Sequence, residues 1–327
     1  MMSLPPVVLM YHGVPHRGTL QCLNGAAFER HILFLKRNCT FIHPQEYASA
    51  TNSSLRRPAV LLTFDDGFRN NSEVAAPILR RHRVPAVFFV CSRHGVPGRY
   101  LWFTYLRMLE AFFRGDGVRL NGEFISLRPA ERQAGIQKLT RRLFALRPHP
   151  HAMYEAIESQ LPALAGFVKA EVLADEAEGM TAAGLRDLAA DPLFTIGAHT
   201  VDHPQLTKCS PEEVERQIRE NKTWLERVTG KQCDQFSYPQ ADFDAPIVQQ
   251  CRKLGFQKAY ATESPRIVDG LFAIRRVGIY STSLTRLGVK LWCNRWLPMR
   301  AMQKARVFLP DSAKRENFAS SAAAGDV

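Results

Sequence analysis

The stretch "LLTFDDGF", residues 61–68, carries an apolar run into two adjacent carboxylates, Asp65 and Asp66, and then Gly67. Locally this reads as a strand entering an Asp-Gly turn, because both residue types tolerate turn backbones. Runs of the same kind, rich in β-branched and aromatic residues, recur along the chain: "VVLMYH" (7–12), "AVLLTFDD" (59–66), "AVFFVC" (86–91), "LFTIGAH" (193–199), "QFSYP" (235–239), "KAYAT" (258–262) and "FAIRRVGIY" (272–280). Segments of helical character at about 26–37, 72–82, 181–190, 211–228 and 244–254 separate them. Strands alternating with helices in this way predict a parallel α/β sheet or barrel with helices outside. Ser210, Pro211, Glu212 and Glu213 mark one helix start: an N-cap, a proline at the first helical position and acids in the first turn.

Residues 95–178 break the rhythm and read as a helical insert, in "LWFTYLRMLEAFFRG", "PAERQAGIQKLTRRLFAL" and "HAMYEAIESQLPAL". The barrel-forming sequence is thereby divided into 1–94 and 179–310. Residues 311–327 are small and polar and are expected to form a disordered tail.

With 327 residues and 46% hydrophobic content the chain can bury a sizeable core. The N-terminus lacks the pattern of a signal peptide and no run is long enough to span a membrane, so a cytoplasmic location is expected. Seven cysteines without CxxC spacing fit that reading. The formal net charge of +12 is concentrated: between Gly270 and Pro310 lie eight basic residues and no acidic one. Within that segment Leu284, Leu287, Leu291, Trp292 and Trp296 are spaced for one helix face. A basic, tryptophan-bearing segment at 284–306 suits an anionic membrane surface, which would place the protein at the inner membrane face. Packing of that stripe on the domain itself is the plainer alternative. Nothing else in the sequence suggests a nucleic-acid partner.

In parallel α/β folds the carboxyl ends of the strands share one face, where active sites are built. Here apolar runs end on His12, on Asp65 and Asp66, on His199 and on Tyr238-Pro239-Gln240. His199 and His203 in "GAHTVDHPQL" form an H-x3-H pair able to converge on a metal. Two imidazoles with one carboxylate, from Asp65 or Asp66, make a three-ligand site with a position left open for water, the pattern of a catalytic metal. The second carboxylate is then free to act as general base. His149, His151, His94, Cys91 and Cys209 show no comparable pattern.

"TFDDG" followed by "HTVDHPQL" resembles the first two signature motifs of the NodB-homology polysaccharide deacetylases, carbohydrate esterase family 4, over roughly residues 5–94 and 179–285. The resemblance implies a distorted (β/α)7-type barrel and a metal-dependent hydrolase that removes an N-acetyl, or N-formyl, group from an amino sugar. Position by position it implies Asp65 as catalytic base, Asp66, His199 and His203 as metal ligands, and the Gln240 backbone amide as oxyanion donor. The ion implied is divalent; zinc suits two histidines and an aspartate, as cobalt, nickel or iron also would. Ser237 stands where the third motif has an arginine, and no histidine follows residue 203 to serve as the usual general acid. "VVLMYHGV" resembles the Tyr-His opening of the poly-N-acetylglucosamine deacetylase branch, which implies His12 as that acid. Tyr238 and Trp102 are expected to line the substrate site as stacking aromatics. The expected substrate is a polysaccharide or a lipid- or nucleotide-linked precursor. The rival readings are a metal-dependent amidohydrolase acting on a non-sugar substrate, and a degenerate glycan-binding protein.

Overall fold

The computed structural model describes residues 5–18, 20, 23–50, 57–262 and 270–296. Its strands are β1 (Val7–Tyr11), β2 (Thr40–Phe41), β3 (Ala59–Phe64), β4 (Ala86–Val90), β5 (Gly117–Leu120), β6 (Glu123–Ser126), β7 (Phe194–Ala198), β8 (Gln235–Ser237), β9 (Lys258–Ala261) and β10 (Ile274–Gly278). Its α-helices are α1 (Gly25–Asn38), α2 (Ala76–His82), α3 (Trp102–Phe112), α4 (Arg132–Phe144), α5 (Pro150–Gln160), α6 (Ala170–Glu176), α7 (Ala182–Ala190), α8 (Pro211–Thr229), α9 (Ala245–Lys253) and α10 (Leu284–Trp296).

Every apolar run read as a strand is one. Seven of them close into a parallel barrel in the order β1, β3, β4, β7, β8, β9, β10 and back to β1. Closure is made by the first strand, which pairs with β3 on one side and β10 on the other. Short β2 adds to the start of β3.

Alternation sets what faces the barrel axis, since successive side chains on a strand point to opposite faces. On β3, Ala59 and Leu61 point inward and meet Val8, Val87, Phe89, Tyr260 and Ile274. Val60, Leu62 and Phe64 point outward into the larger core shared with α1, α2, α7, α8 and α9. Continuing the inward line of β3 by twos leads to Thr63 and Asp65, both buried. The strand therefore delivers Asp65 to the inside of the barrel mouth.

The outer helices start where their caps dictate. Ser210 accepts a hydrogen bond from Glu213 N at the head of α8, Asn24 does so for α1, Thr181 for α7 and Asp244 for α9. The region between β4 and β7 holds α3 to α6 and packs a hydrophobic cluster of its own around Trp102, Leu109, Leu139 and Ile157. It is less helical than its sequence suggests, because β5 and β6 form an antiparallel hairpin. Its turn is Asn121-Gly122, both with positive φ (51° and 79°), the pair that two-residue hairpin turns favour.

Gly67 shows how tightly the turn after β3 is drawn. Its φ is +76°, and a Cβ built there would lie 2.6 Å from Val90 Cγ1. A left-handed backbone costs an L-residue about 1–2 kcal/mol, and forced overpacking about 1–3 kcal/mol more. Gly67→Ala is thus expected to lower unfolding stability by about 2–5 kcal/mol, measurable as a reduced urea midpoint with unchanged slope.

Candidate active site

The two carboxylates at the end of β3 separate at once. Asp65 N donates to Tyr11 O at 3.0 Å, which keeps Asp65 in the extended line of the strand. Asp66 turns into the left-handed region at φ 73°, which aims its side chain elsewhere. Its carbonyl lies 3.1 Å from His94 Nδ1, and Ala177 O lies 2.8 Å from His94 Nε2. His94 thus clamps the turn between two backbone carbonyls.

The facing loop follows β7. His199 N donates to Asn221 Oδ1 at 2.9 Å, and Asn221 Nδ2 donates to Val90 O at 3.0 Å, so a buried α8 amide joins the ends of β4 and β7. Thr200 and His203 have φ of 69° and 53°. For a β-branched residue that is costly, and such strain collects at functional loops whose surroundings over-determine it. Gln217 supplies much of that determination: its Oε1 accepts from Val201 N and Asp202 N at 3.1 and 2.9 Å, and its Nε2 donates to Asp202 Oδ2 at 2.7 Å. The region between β4 and β7 completes the hold. Tyr154 donates to Asp202 O at 2.9 Å, Trp102 Nε1 donates to His203 O at 3.3 Å, and Phe103 packs against the His203 ring.

These loops bring Asp66, His199 and His203 together. Asp66 Oδ1 lies 3.5 Å from His199 Nε2 and 3.5 Å from His203 Nε2. That oxygen is buried and has no hydrogen-bond partner. His199 Nδ1 lies 2.7 Å from Ser237 O. A proton on Nδ1 donated to that carbonyl leaves the Nε2 lone pair facing Asp66, the tautomer that metal-ligating histidines take. An orphaned carboxylate oxygen between two imidazole nitrogens fits a divalent cation in its donor set and its charge. Cys91, buried beneath, also has its sulfur within 4.8 Å of ligand atoms of Asp66 and His199, but donates to His199 O at 3.0 Å.

Charge is distributed unevenly over the group. Burial alone raises the Asp66 carboxyl, but the imidazoles of His199, His12 and His203 outweigh it and hold Asp66 well below the usual carboxylate range. Burial lowers His199, yet the carboxylates of Asp65 and Asp66 win and raise it. For His203 burial wins, and the ring is pushed down to about 4. Between pH 6.5 and 4 the unfolded chain therefore binds a proton at this position that the folded chain refuses. Stability from His203 is present above pH 6.5 and is lost as pH falls through that window, by about 3 kcal/mol in all. In chelator-treated protein the thermal midpoint is expected to fall between pH 6.5 and 4, and to fall less steeply in His203→Gln.

Asp65 lies to the other side of His199, with Oδ2 at 3.9 Å from Nε2. Arg276 binds it through two hydrogen bonds of 2.6 Å, Nη1 to Oδ1 and Nη2 to Oδ2. Burial raises Asp65, and the charge of Arg276 and then of His199 overcomes it, so the carboxyl is held below its ordinary value. His12, half-buried at the end of β1, stacks on Tyr280 at 5.7 Å, and its carbonyl accepts from Asn71 Nδ2 at 2.9 Å. Gln240 follows β8 in a tight turn with φ 55°.

The sequence profile of the family described as polysaccharide deacetylase matches residues 52–111 and 158–259, the segments that carry both aspartates and both histidines. The chain belongs to the polysaccharide deacetylase family. Polysaccharide deacetylases are hydrolases of amide C–N bonds other than peptide bonds. The chain is 20% identical over 277 residues to YxkH of Bacillus subtilis (strain 168), a protein named as a polysaccharide deacetylase, covering 83% of this chain and 70% of that one. In fold it is similar to the Streptococcus pyogenes deacetylase PplD in complex with acetate, with a TM-score of 0.55, 16% identity, and coverage of 90% of this chain and 99% of the other. It is also similar to IcaB from Ammonifex degensii, with a TM-score of 0.54, 18% identity, and coverage of 90% and 98%.

Two expectations about the polysaccharide deacetylase site need correction. Tyr238 does not line it. Strand alternation sends Gln235 and Ser237 inward and Phe236 and Tyr238 outward, where Tyr238 stacks on Phe243 at 4.2 Å and donates to Phe272 O. Trp102 is buried with its indole N–H committed to His203 O, so it braces the histidine loop; it also borders a small cavity with Phe144, Arg147 and Gln240. Residues the sequence reading missed are Arg276, Asn221 and Gln217, and His94, set aside there, holds the turn at Asp66. Gln217 and Asn221 had a signal: polar side chains four apart on the apolar face of α8, beside Val214, Ile218 and Leu225.

Proposed function

We propose that this polysaccharide deacetylase removes an N-acetyl group from an amino sugar with the help of one divalent cation, held by Asp66, His199 and His203. The observation that carries this reading is the unpartnered Asp66 Oδ1, 3.5 Å from both imidazole nitrogens, with the fixed Asp65 carboxylate alongside. When bound, the cation supplies Lewis-acid polarisation of the amide carbonyl and acidifies the attacking water. Zinc is the ion the donors suit best. Asp65, charged and fixed in direction, takes the proton from the attacking water. The Gln240 backbone N–H stabilises the oxygen on which charge develops. His12, set at the mouth on the ring of Tyr280, returns a proton to the departing amine, a task suited to an imidazole near neutral pH.

The substrate we favour is a lipid-linked amino sugar presented at an anionic membrane surface. α10 supports that choice. Its Leu287 is buried, whereas Val289 and Trp292 are 51% and 59% exposed on another side of the helix. Lys290 reaches back to Gly278 O and lies over the Tyr280 ring, so this helix stands next to His12 at the mouth. Trp292 does not share the buried face with Leu284, Leu287 and Leu291 as its spacing suggested; five positions from Leu287 it turns about 140° away and projects outward. The side chain of Trp296, residues 297–306 of the basic segment and the tail 311–327 lie outside the described residues. Among the described residues no helix is long and apolar enough to cross a membrane.

The test is mass spectrometry of lipid-linked, nucleotide-linked and polymeric N-acetyl sugars before and after incubation, with zinc removed by chelation and then restored. Loss of one acetyl group from a sugar, only in the zinc-loaded sample, is the expected result. Release from simple non-sugar amides alone would overturn the proposal.

A further inference from the structure

Between the barrel and the region joining β4 to β7 lies a recess of about 250 Å³, measured out to its opening. Trp102, Phe144 and Arg147 border it on one side, and Pro204, Gln205 and Gln240 on the other. Two of these adjoin the proposed machinery. Pro204 follows His203, and Gln240 carries the backbone N–H assigned to the developing oxyanion. The recess is therefore a neighbour of the reacting amide.

Arg147 stands in this recess without a counter-ion among the described residues. Its guanidinium lies over the Phe144 ring, 3.8 Å from the centroid, and Nη1 donates to the neutral side-chain oxygen of Gln205. Nε is buried with no partner, and Nη2 makes no hydrogen bond among the described residues. The nearby Asp242 carboxylate is turned to Thr207, accepting from its backbone N at 2.7 Å and from its Oγ1 at 2.8 Å. Burial lowers the Arg147 pKa, and the charge of Asp242 offsets only part of that. Arg93, in the same region, shows the ordinary arrangement: it is buried and paired with both Asp202 and Glu158. A cation withdrawn from water without a counter-charge is unfavourable. Held flat on a ring with donors left over, it is a preformed receptor for phosphate, whose oxygens match the guanidinium fork.

We propose that Arg147 binds a phosphate esterified to the sugar, so that the substrate is a glycosyl phosphate or diphosphate and not a neutral glycan. This rests on the reading of the chain as an amino-sugar deacetylase. Where the amide stands on the carbon next to the anomeric centre, a phosphate on that centre is only a few bonds from the reacting carbonyl. One group meets Gln240 and the other Arg147, two residues that border the same recess. Polyprenyl-linked and nucleotide-linked sugars share this chemistry; a neutral polymer lacks it. A merely bracing role for Arg147, through Gln205 to the loop of His203, predicts equal losses on every substrate when the arginine is removed.

The experiment compares wild type, R147M, R147K and R114M, all as zinc-loaded full-length protein. Arg114 is exposed and does not border the recess, so R114M removes the same charge elsewhere. Four substrates carry one N-acetyl amino sugar: the free sugar, its 1-phosphate, a water-soluble short-prenyl diphosphate and a nucleotide diphosphate. A hydrogen-bonded pair with a charged partner contributes about 10–100-fold. Wild type is expected to favour the 1-phosphate over the free sugar at least tenfold in kcat/KM. R147M is expected to lose that preference through KM, R147K to keep part of it and R114M to keep all of it. The faster of the two diphosphates names the carrier, and its loss of rate in R147M supports the inference in either case. Equal losses of R147M on free and phosphorylated sugar would overturn the inference and leave Arg147 a brace. So would a wild type indifferent to the phosphate. A wild type that releases no acetate from any sugar would instead overturn the proposed function. Calorimetric binding of the 1-phosphate then decides the subsite by itself: binding at least tenfold weaker in R147M supports it, and equal binding overturns it.

Discussion

Asp65→Asn is expected to reduce amide hydrolysis by about 10³-fold while one zinc per chain is retained. The variant keeps the shape of the side chain and removes its capacity to accept a proton, and a positioned general base contributes roughly 10²–10⁴-fold. Retention of metal follows from the geometry, since Asp66 Oδ1 is the carboxylate oxygen placed between the two imidazoles. A second consequence is physical rather than chemical. Arg276 would be left buried with only neutral partners, and breaking a buried pair by removing one charge costs about 3–5 kcal/mol. Activity assays therefore belong alongside a denaturant titration. The double variant D65N/R276M separates the effects: replacing both charges by uncharged groups is expected to recover much of the stability and none of the activity. If D65N hydrolysed substrate within tenfold of wild type, Asp65 would not be the base.

Asp66→Ala is expected to remove both metal and activity. Loss of a group that merely orients a metal ligand typically costs 10–100-fold in affinity, and Asp66 supplies the negative charge of the proposed ligand set. Affinity for zinc, read by competition with a chelating dye, is expected to fall by more than about 10²-fold, with hydrolysis falling to background at micromolar zinc. His199→Ala makes a useful companion, since it deletes a ligand and also the contact to Ser237 O. Unchanged zinc affinity in D66A would move the metal elsewhere and dissolve the proposed division of labour between the paired aspartates.

The barrel was legible because its strands are buried on both faces, so "VVLMY" and "AVLLTF" read as continuous apolar runs bounded by turn residues. The candidate ligands were legible for the same reason. His199 follows β7 directly, Asp66 follows β3 by two residues and His203 lies four further along the loop after β7, and the carboxyl ends of parallel strands share a face. Side-chain direction near a strand end was harder, because a shift of one residue reverses it. Tyr238, placed in the site from its position beside Pro239, is on the outer face, and the inward neighbour Ser237 is the residue that touches Asp65. Arg276 was hidden differently. In "FAIRRVGIY" two adjacent arginines read as surface charge, whereas alternation buries one of them and leaves Arg275 on the other face. The missing partner for Asp65 was supplied 211 positions along the chain, a distance at which local pattern carries no information. The hairpin of β5 and β6 was in principle readable from Asn121-Gly122; the surrounding helical rhythm masked it.

Closure of the barrel by its first and last strands has a consequence for how the protein comes into being. At synthesis rates of about 5–20 residues per second, the 211 positions between Asp65 and Arg276 correspond to roughly 10–40 s during which the aspartate exists without its counter-charge. Until β10 emerges, β1 lacks the partner it pairs with on that side in the folded barrel. Competence and closure should then arrive together, late, as a single event of biogenesis, and a nascent chain stalled before Arg276 should be protease-sensitive at β1 as well as inert.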